Sequence, residues 1–492
     1  MFLAATDTSG LPVQPPLRAP FGWPTVGLAP PAGTSATGGS VLLTWPHAGN
    51  TASSPGASRG GWLRIGVSVD DREQKIVTAS LARTGAMIGQ FDLRYSHSIE
   101  PWQIQLNATT LAAALEQGIR LTLTHGSTPL WLFAPALPAG AEVLAPHLLP
   151  DAPVDATSPG AATAAFFRVL GSVGSVQTFG WMEGCILDAL HDLRTATAGT
   201  TDALRWRAAL DAHLALFFTS DGRLVYEDPR GRPCDDRIYG IEGTLPFAVL
   251  AKVAPHHPLL DTLLAWYRDH LHPDGTFRRP ESYTAEGSYT IAYPLAVIAG
   301  QRRDNSLASL AINVLRQRQE RLRRPDGLWL RHHPDDSRTF RSWARGIAWY
   351  LLGLGRSLEH LRGLADTGEP EAELRAAVAW TLALQREDGL WGCFADDPAC
   401  PPDTSGSAGI AAAIMRAARA GFVDAAEAET AARRCWSGLL PHLTPDGLLD
   451  GTAQSNRGGE ALQRAPYRVL SPMGMGLMGQ LAAALGHTQA SR

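Results

Sequence analysis

Asp326-Gly-Leu-Trp329 and Asp388-Gly-Leu-Trp391 are two copies of one short pattern that occurs five times. The others are Asp221-Gly-Arg-Leu224, Asp274-Gly-Thr-Phe277 and Asp446-Gly-Leu-Leu449. The copies stand 53, 52, 62 and 58 residues apart. A near-constant period of this length marks a repeated supersecondary unit. Each copy lies between two segments of helical character, and Asp-Gly stops a helix because Gly accepts the left-handed C-cap conformation. Working outward from these stops gives twelve helical segments, at 161–171, 178–194, 201–218, 241–254, 258–271, 287–301, 305–323, 343–361, 370–385, 404–421, 424–440 and 472–486. Twelve helices in six hairpins predict an (α/α)6 barrel, in which alternate helices form an inner ring. The even-numbered segments are the inner candidates: 408–415 and 473–479 are rich in Gly and Ala, whereas 305–324 carries many Arg and Gln residues and reads as solvated on one face. The longer loops then gather at the N-terminal ends of the inner helices. Free backbone N–H groups and positive dipole ends there suit an anionic substrate.

The chain ahead of this array has another character. Residues 1–58 are rich in Pro, Gly, Ser and Thr and read as an irregular arm. Between 62 and 136 the runs Trp62-Leu-Arg-Ile-Gly-Val-Ser-Val69, Ile119-Arg-Leu-Thr-Leu-Thr124 and Pro129-Leu-Trp-Leu-Phe133 have strand character, interrupted by one short helix at 109–116. They predict a small antiparallel β-sandwich. The Pro- and Asp-rich stretch 149–160 reads as a linker. The expected division is a 1–150 arm and β-rich domain and a 160–488 barrel.

With 492 residues the chain can bury a large core. Its 43 basic and 47 acidic residues leave a net charge of -4 with mixed signs, so no basic stripe points to nucleic acid. No apolar run is long enough to span a bilayer, and the N-terminus has no basic and apolar leader pattern, so a cytoplasmic location is expected. Five scattered cysteines without a CxxC fit reduced, buried thiols. No HExxH, P-loop, Gly-x-Ser-x-Gly or dinucleotide fingerprint occurs.

The loops before the inner helices hold the unusual polar and aromatic residues. They are Phe179-Gly-Trp-Met-Glu183, Cys234-Asp-Asp-Arg-Ile-Tyr-Gly-Ile-Glu242, Glu281-Ser-Tyr-Thr-Ala-Glu-Gly-Ser-Tyr289, the segment from His332 to Arg345, Asp403-Thr-Ser-Gly-Ser407, and Arg464-Ala-Pro-Tyr-Arg468. Carboxylates, aromatics and Arg converging on one funnel are what a sugar site needs. Aromatic faces stack on sugar C–H surfaces, one carboxyl stays protonated through burial or a like-charged neighbour, and Arg forks onto a carboxylate. Each has a plainer reading: Asp403-Thr404-Ser405 as an N-cap, Glu242 and Glu286 as first-turn acids, Trp343 and Trp349 as core. His332-His333 with Asp335-Asp336 has a metal-like composition, but adjacent loop residues rarely chelate one ion together, and no metal is expected.

Taken together, these motifs resemble the unsaturated uronyl hydrolases of glycoside hydrolase families 105 and 88. The segment Asp326 to Asp336 is similar to their GLxxH-x-x-D pattern. Trp343-Ala-Arg-Gly-Ile-Ala-Trp-Tyr350 is similar to their W-G-R-x-x-G-W-Y helix start. Asp388-Gly-Leu-Trp391 with Asp403-Thr-Ser-Gly-Ser-Ala408 is similar to their DGLW…ETSxSA pair. The resemblance implies an (α/α)6 barrel and exo action on oligosaccharides capped by a 4,5-unsaturated uronic acid, by vinyl-ether hydration without metal or organic cofactor. It implies Glu286 as proton donor, where the family has Asp, and Glu242 or Asp236 as the second carboxylate. Trp343, Arg345 and His332 or His333 correspond to substrate-binding positions, with Arg345 expected to anchor the substrate carboxylate. Trp181, Tyr239, Tyr289, Asp403 and Ser405 complete the expected substrate contacts. The family's W-x-D-x-x-Y-M signature is missing, and the family normally lacks a β-domain like this one. An exo-glycosidase on saturated uronides, a sugar epimerase and a non-catalytic carbohydrate-binding protein are therefore the competing readings. Three roles are open to the β-domain: covering the barrel mouth, extending the site, or mediating a homodimer.

Overall fold

The computed structural model describes residues 3–5, 17–31, 39–45, 60–70, 72–151 and 159–487. Much of the expected arm, and the centre of the expected linker at 152–158, lie outside the described residues.

The N-terminal part comprises β1 (Leu3–Ala4), β2 (Thr25–Leu28), β3 (Ser40–Leu43), β4 (Gly60–Val67), β5 (Gln74–Leu81), β6 (Met87–Arg94), β7 (Glu100–Asn107), α1 (Ala108–Gln117), β8 (Ile119–His125), β9 (Leu130–Phe133) and β10 (His147–Pro150). One antiparallel sheet runs β1-β10-β4-β9-β2, with β7 also paired to β4; the other runs β3-β8-β5-β6. Alternation decides the faces. Along β5, Lys75, Val77, Ala79 and Leu81 are buried while the residues between them are not. Leu63, Ile65 and Leu132 of the first sheet share one core with Val77, Phe91 and Leu121 of the second. Asn107 caps α1 by accepting a hydrogen bond from Thr110 N–H at 2.8 Å.

The helical part comprises α2 (Pro159–Leu170), α3 (Trp181–Ala196), α4 (Thr201–Ala215), α5 (Pro246–Val253), α6 (Leu259–His270), α7 (Tyr293–Arg302), α8 (Asn305–Leu322), α9 (Ala344–Leu361), α10 (Gly368–Leu382), α11 (Thr404–Arg419), α12 (Ala425–Leu439), α13 (Gly459–Arg464) and α14 (Pro472–Leu485). Helices α3, α5, α7, α9, α11 and α14 pack each on the next, and α14 packs back on α3. These are the even-numbered segments expected from the sequence. Close approach needs small residues. A Cβ on Gly353 of α9 would stand 2.1 Å from the carbonyl carbon of Ser288, and one on Gly476 of α14 would stand 2.7 Å from that of Cys185. In the Asp-Gly turns Gly222, Gly275, Gly327, Gly389 and Gly447 all have φ between 82° and 140°. Isolated bridges such as Phe218 to Leu224, Leu271 to Phe277 and Leu443 to Leu449 close three of these turns onto the apolar residue of the repeat.

Two inner helices start differently from the sequence expectation. The segment 241–254 divides into a 3-10 turn, Ile241–Thr244, followed by α5, and Pro246 opens α5 where its missing N–H is harmless. The segment 287–301 begins with a π turn, Ser288–Ala292, ahead of α7. Pro294 has no N–H to give the Thr290 carbonyl, and that carbonyl instead accepts from the hydroxyls of Thr244 and of Tyr267 (3.3 Å). The displaced turn sits immediately after Glu286.

Below the N-terminal mouth the ring is plugged by buried polar groups. Asp188 of α3 accepts from the hydroxyls of Tyr289 (2.5 Å) and Tyr293 (2.7 Å) and pairs with Lys252 and Arg356, each at 3.4 Å. Arg356 also pairs with Asp192 and donates to Gln480 at 2.8 Å. Among the described residues no helix is long and apolar enough to cross a membrane. All five cysteines are free and buried.

Candidate active site

The N-terminal ends of the inner helices and an edge of the β-sandwich enclose one cleft of about 890 Å³, open solvent included. Its acidic residues are Glu242, in the turn before α5, Glu286, in the loop before the π turn, and Glu100, the first residue of β7. Burial and the Glu242 carboxylate push the Glu286 carboxyl up to about 8. Burial also raises Glu242, with Arg457, the Tyr239 hydroxyl and Arg331 pulling the other way. Tyr239 donates to Glu242 Oε2 at 3.4 Å. No protein group among the described residues donates to the Glu286 carboxyl, which is free to meet a ligand. The arrangement places Glu286, raised by burial and by Glu242, beside Glu242, whose rise by burial is opposed by Arg457, Tyr239 and Arg331.

Aromatic walls flank the pair. Trp181 and Trp349 meet edge to face with centroids 5.3 Å apart, and Trp343 stands under the Arg345 guanidinium at 4.6 Å. All three tryptophans line the cleft. Thus Glu286, Glu242, Trp181, Tyr239, Trp343 and Arg345, expected from the sequence, come together on one cavity.

The remaining expected residues sit elsewhere. Asp236 is half-exposed and its carboxylate forks with Arg223, accepting at 3.0 and 2.8 Å, so it is not a partner of Glu286. Asp236→Asn is expected to leave kcat/KM within about twofold, the range of ordinary surface changes; steady-state kinetics on the purified variant check this. Tyr289 is buried below the cleft, bonded to Asp188. His332 pairs with Asp336 at 2.6 Å, and His333 contacts Ser282 Oγ at 3.0 Å and Thr339 Oγ1 at 3.1 Å, so both serve their hairpin. Asp403 is the N-cap of α11, accepting from Ser405 N–H and Oγ and from Ala453 N–H. Arg345 lines the cleft, but its Nη1 and Nη2 donate to the backbone carbonyls of Ala453 and Gln454. It frames the wall and does not fork onto a carboxylate. Among the described residues no three His, Cys, Asp or Glu gather to hold one metal ion.

Sequence reading missed Arg331, Arg457, Glu100 and His97, all on the cleft. A signal existed for Arg331. Strand Gly327–His332 alternates, with Leu328, Leu330 and His332 buried, which turns Arg331 to the opposite face. Arg331 donates to Asn456 at 2.9 Å. Glu100 accepts from His97 N–H at 2.7 Å and from Gln454 Nε2 at 2.9 Å, and burial pushes it up to about 8. Burial and the nearby Arg457 hold His97 neutral, at about 3.

Glycosyl Hydrolase Family 88 matches this chain over residues 298–485. The "24.9 kDa protein in picA locus" of Rhizobium radiobacter is 34% identical over 92 residues, covering 18% of this chain and 40% of that protein. The unsaturated rhamnogalacturonyl hydrolase YesR of Bacillus subtilis (strain 168) is 28% identical over 144 residues, covering 27% of this chain and 38% of YesR. The chain thus spans about two fifths of the length of these curated relatives. The crystal structure of a possible member of the GH105 family from Klebsiella pneumoniae superposes with a TM-score of 0.54 at 18% identity, over 63% of this chain and 82% of that one, and shares the fold. The resemblance read from the motifs is borne out: residues 298–485 match Glycosyl Hydrolase Family 88, part of the chain is similar to YesR, and the chain shares the fold of the GH105-like structure.

Proposed function

We propose that this protein is an exo-acting glycoside hydrolase on oligosaccharides that end in a 4,5-unsaturated uronic acid. Its catalytic unit is an (α/α)6 barrel spanning 160–488, and its β-rich unit spans 1–150. The observation that carries the reading is the pair of unequal carboxyls on one aromatic-walled cleft: Glu286, kept protonated by burial and by Glu242, and Glu242 itself, near Arg457 and Arg331. The name of the relative YesR supports the substrate class.

In this reading Glu286 gives its proton to C4 of the enol ether, and positive charge develops at C5 and the ring oxygen. Water adds to C5 and yields its proton to the Glu242 carboxylate. The resulting hemiketal opens, and the bond to the next sugar breaks with it. Trp181 and Trp349 pack on the sugar faces. The chemistry needs one donor and one acceptor of protons, and the two glutamates supply both.

The test is loss of the enol-ether ultraviolet absorbance on lyase-digested pectin, ulvan and glycosaminoglycan oligosaccharides. Loss on one of them is the expected result. No loss, with release of a saturated uronic acid from intact glycosides, would make the protein an ordinary exo-uronidase. A pH profile follows from the same carboxyls. Glu286 works while protonated, so kcat is expected to fall as pH rises through about 8. Glu242 works while ionised, and burial places its acidic limb above the ordinary 4.5. A rate that keeps climbing beyond pH 8 would contradict the assignment of Glu286 as donor.

A further inference from the structure

The β-domain touches the barrel at several places, and the contacts are of two kinds. Arg64 of β4 is fully buried and pairs with Asp446 in the last Asp-Gly turn. Tyr467 donates to the Asp92 carbonyl at 2.6 Å. Both lie away from the cleft and read as staples between the two parts. The pair of Asp70 and Arg457 differs. Asp70 follows β4, and its carboxylate is 2% exposed. Arg457 Nη1 donates to both of its oxygens at 2.8 Å. The Arg457 side chain is 25% exposed and lines the cleft, and its Nε and Nη2 take no partner among the described residues. A staple would have both ends sealed. Here one end is sealed in the β-domain, and the other presents two N–H groups to the cavity that holds Glu242 and Glu286.

The neighbouring backbone is built to hold this edge in place. Tyr95 and Ile99 both have positive φ, 52° and 62°, an unfavourable conformation for residues with bulky side chains. Between them the chain turns His97 onto the cleft, edge-on to Trp181 at 6.3 Å. The turn is tied to the approach of α3, where Gln177 Nε2 donates to the Ile99 carbonyl at 3.2 Å and the Thr178 hydroxyl to that of Ser98 at 3.4 Å. Glu100 is bonded to Gln454, three residues before Arg457.

We infer that the β-domain is part of the substrate site: Asp70 holds Arg457 over the cleft, and the free N–H groups of Arg457 read the carboxylate of the terminal uronic acid. This rests on the uronide reading above and adds to it which cation recognises the acid and which domain sets that cation's direction. Arg345 cannot do so, since its fork is committed to backbone carbonyls. Burial moves Asp70 up to about 6, against the pull of Arg457 and Arg72, so at neutral pH its carboxylate is ionised and the pair is intact. Asp70 is thus a positioning residue that acts through Arg457.

The test compares free-acid and methyl-ester forms of one uronide-terminated disaccharide on the full chain, with wild type, Asp70→Asn, Arg457→Met and Arg457→Lys. The expected result is a KM for the free acid raised about tenfold or more by Asp70→Asn and Arg457→Met while the KM for the ester stays as in wild type, the factor that one charge-assisted hydrogen bond accounts for; Arg457→Met also takes a cation from Glu242 and lowers kcat on acid and ester alike. Arg457→Lys keeps the charge and is expected to fall between. Were Arg457→Met not to fold, Asp70→Asn and Arg457→Lys still decide. A folded Asp70→Asn that treats acid and ester as wild type does would overturn the inference and leave the uronide reading standing. So would an equal rise in KM on acid and ester, the sign of a purely structural pair. A wild-type enzyme that turns over no uronide, acid or ester, would overturn both.

Discussion

Glu286→Gln is expected to lower kcat by about 10²–10⁴-fold, the range for removing a general acid. The substitution keeps shape and size and removes only the transferable proton. It breaks no protein contact that the structure contains, because among the described residues the Glu286 side chain accepts no hydrogen bond; only its backbone carbonyl does, from the Thr290 hydroxyl. Below about pH 8 the Glu286 carboxyl is already neutral, so the substitution removes no charge from the cleft. The folded state should therefore be unharmed. Kinetics and thermal unfolding on the same sample separate the outcomes. Lost turnover with an unchanged Tm fits an acid in the chemistry. Retained turnover would remove Glu286 from the mechanism.

The second large effect lies at the other end of the ring. Arg356→Met is expected to cost about 3–5 kcal/mol of stability, the usual consequence of removing one partner from a buried ionic network. Arg356 is 1% exposed and stands between Asp188 and Asp192. Without it, the two carboxylates keep Lys252 and Arg416 as their cations, and Gln480 loses a donor. Desolvated charge left uncompensated is expensive, and a methionine of similar length cannot supply it. An exposed pair makes the control: Arg316 and Glu369 are 36% and 56% exposed, and Arg316→Ala should cost about 0–1 kcal/mol. Denaturant unfolding of both variants measures the difference. Equal costs would mean that the buried network does not hold the inner helices together.

The ring of helices was legible because its signals are local and repeated. An Asp-Gly stop marks five of the six outer-to-inner turns, and Gly-rich segments such as 473–479 have no polar face to show solvent. What the sequence concealed depends on contacts over long separations. Glu242 and Glu286 could be named because each opens an inner helix. Asp236 looked equivalent from its loop position, but Arg223, in the preceding Asp-Gly turn, pulls it outward. Asp403 read equally as a cap or as a ligand, and the geometry gives the cap. Arg345 has the expected position but not the expected partners, because the carbonyls of Ala453 and Gln454 arrive from more than a hundred residues away. Glu100 was invisible as a site residue, since nothing in a strand's alternation says which edge of a sandwich will meet a helical ring. The π turn before α7 had a sequence cause, Pro294, yet its effect appears only when Thr244 and Tyr267 are seen to satisfy the Thr290 carbonyl.

The central claim is that Glu286 delivers a solvent-exchangeable proton to carbon. The direct measurement is turnover of an unsaturated uronyl disaccharide in D2O, followed by locating deuterium in the released uronic acid. The account predicts deuterium at C4, with its incorporation abolished along with turnover in Glu286→Gln. A product carrying no deuterium at C4 would contradict it, since the glycosidic bond would then have been cut without protonation of the double bond.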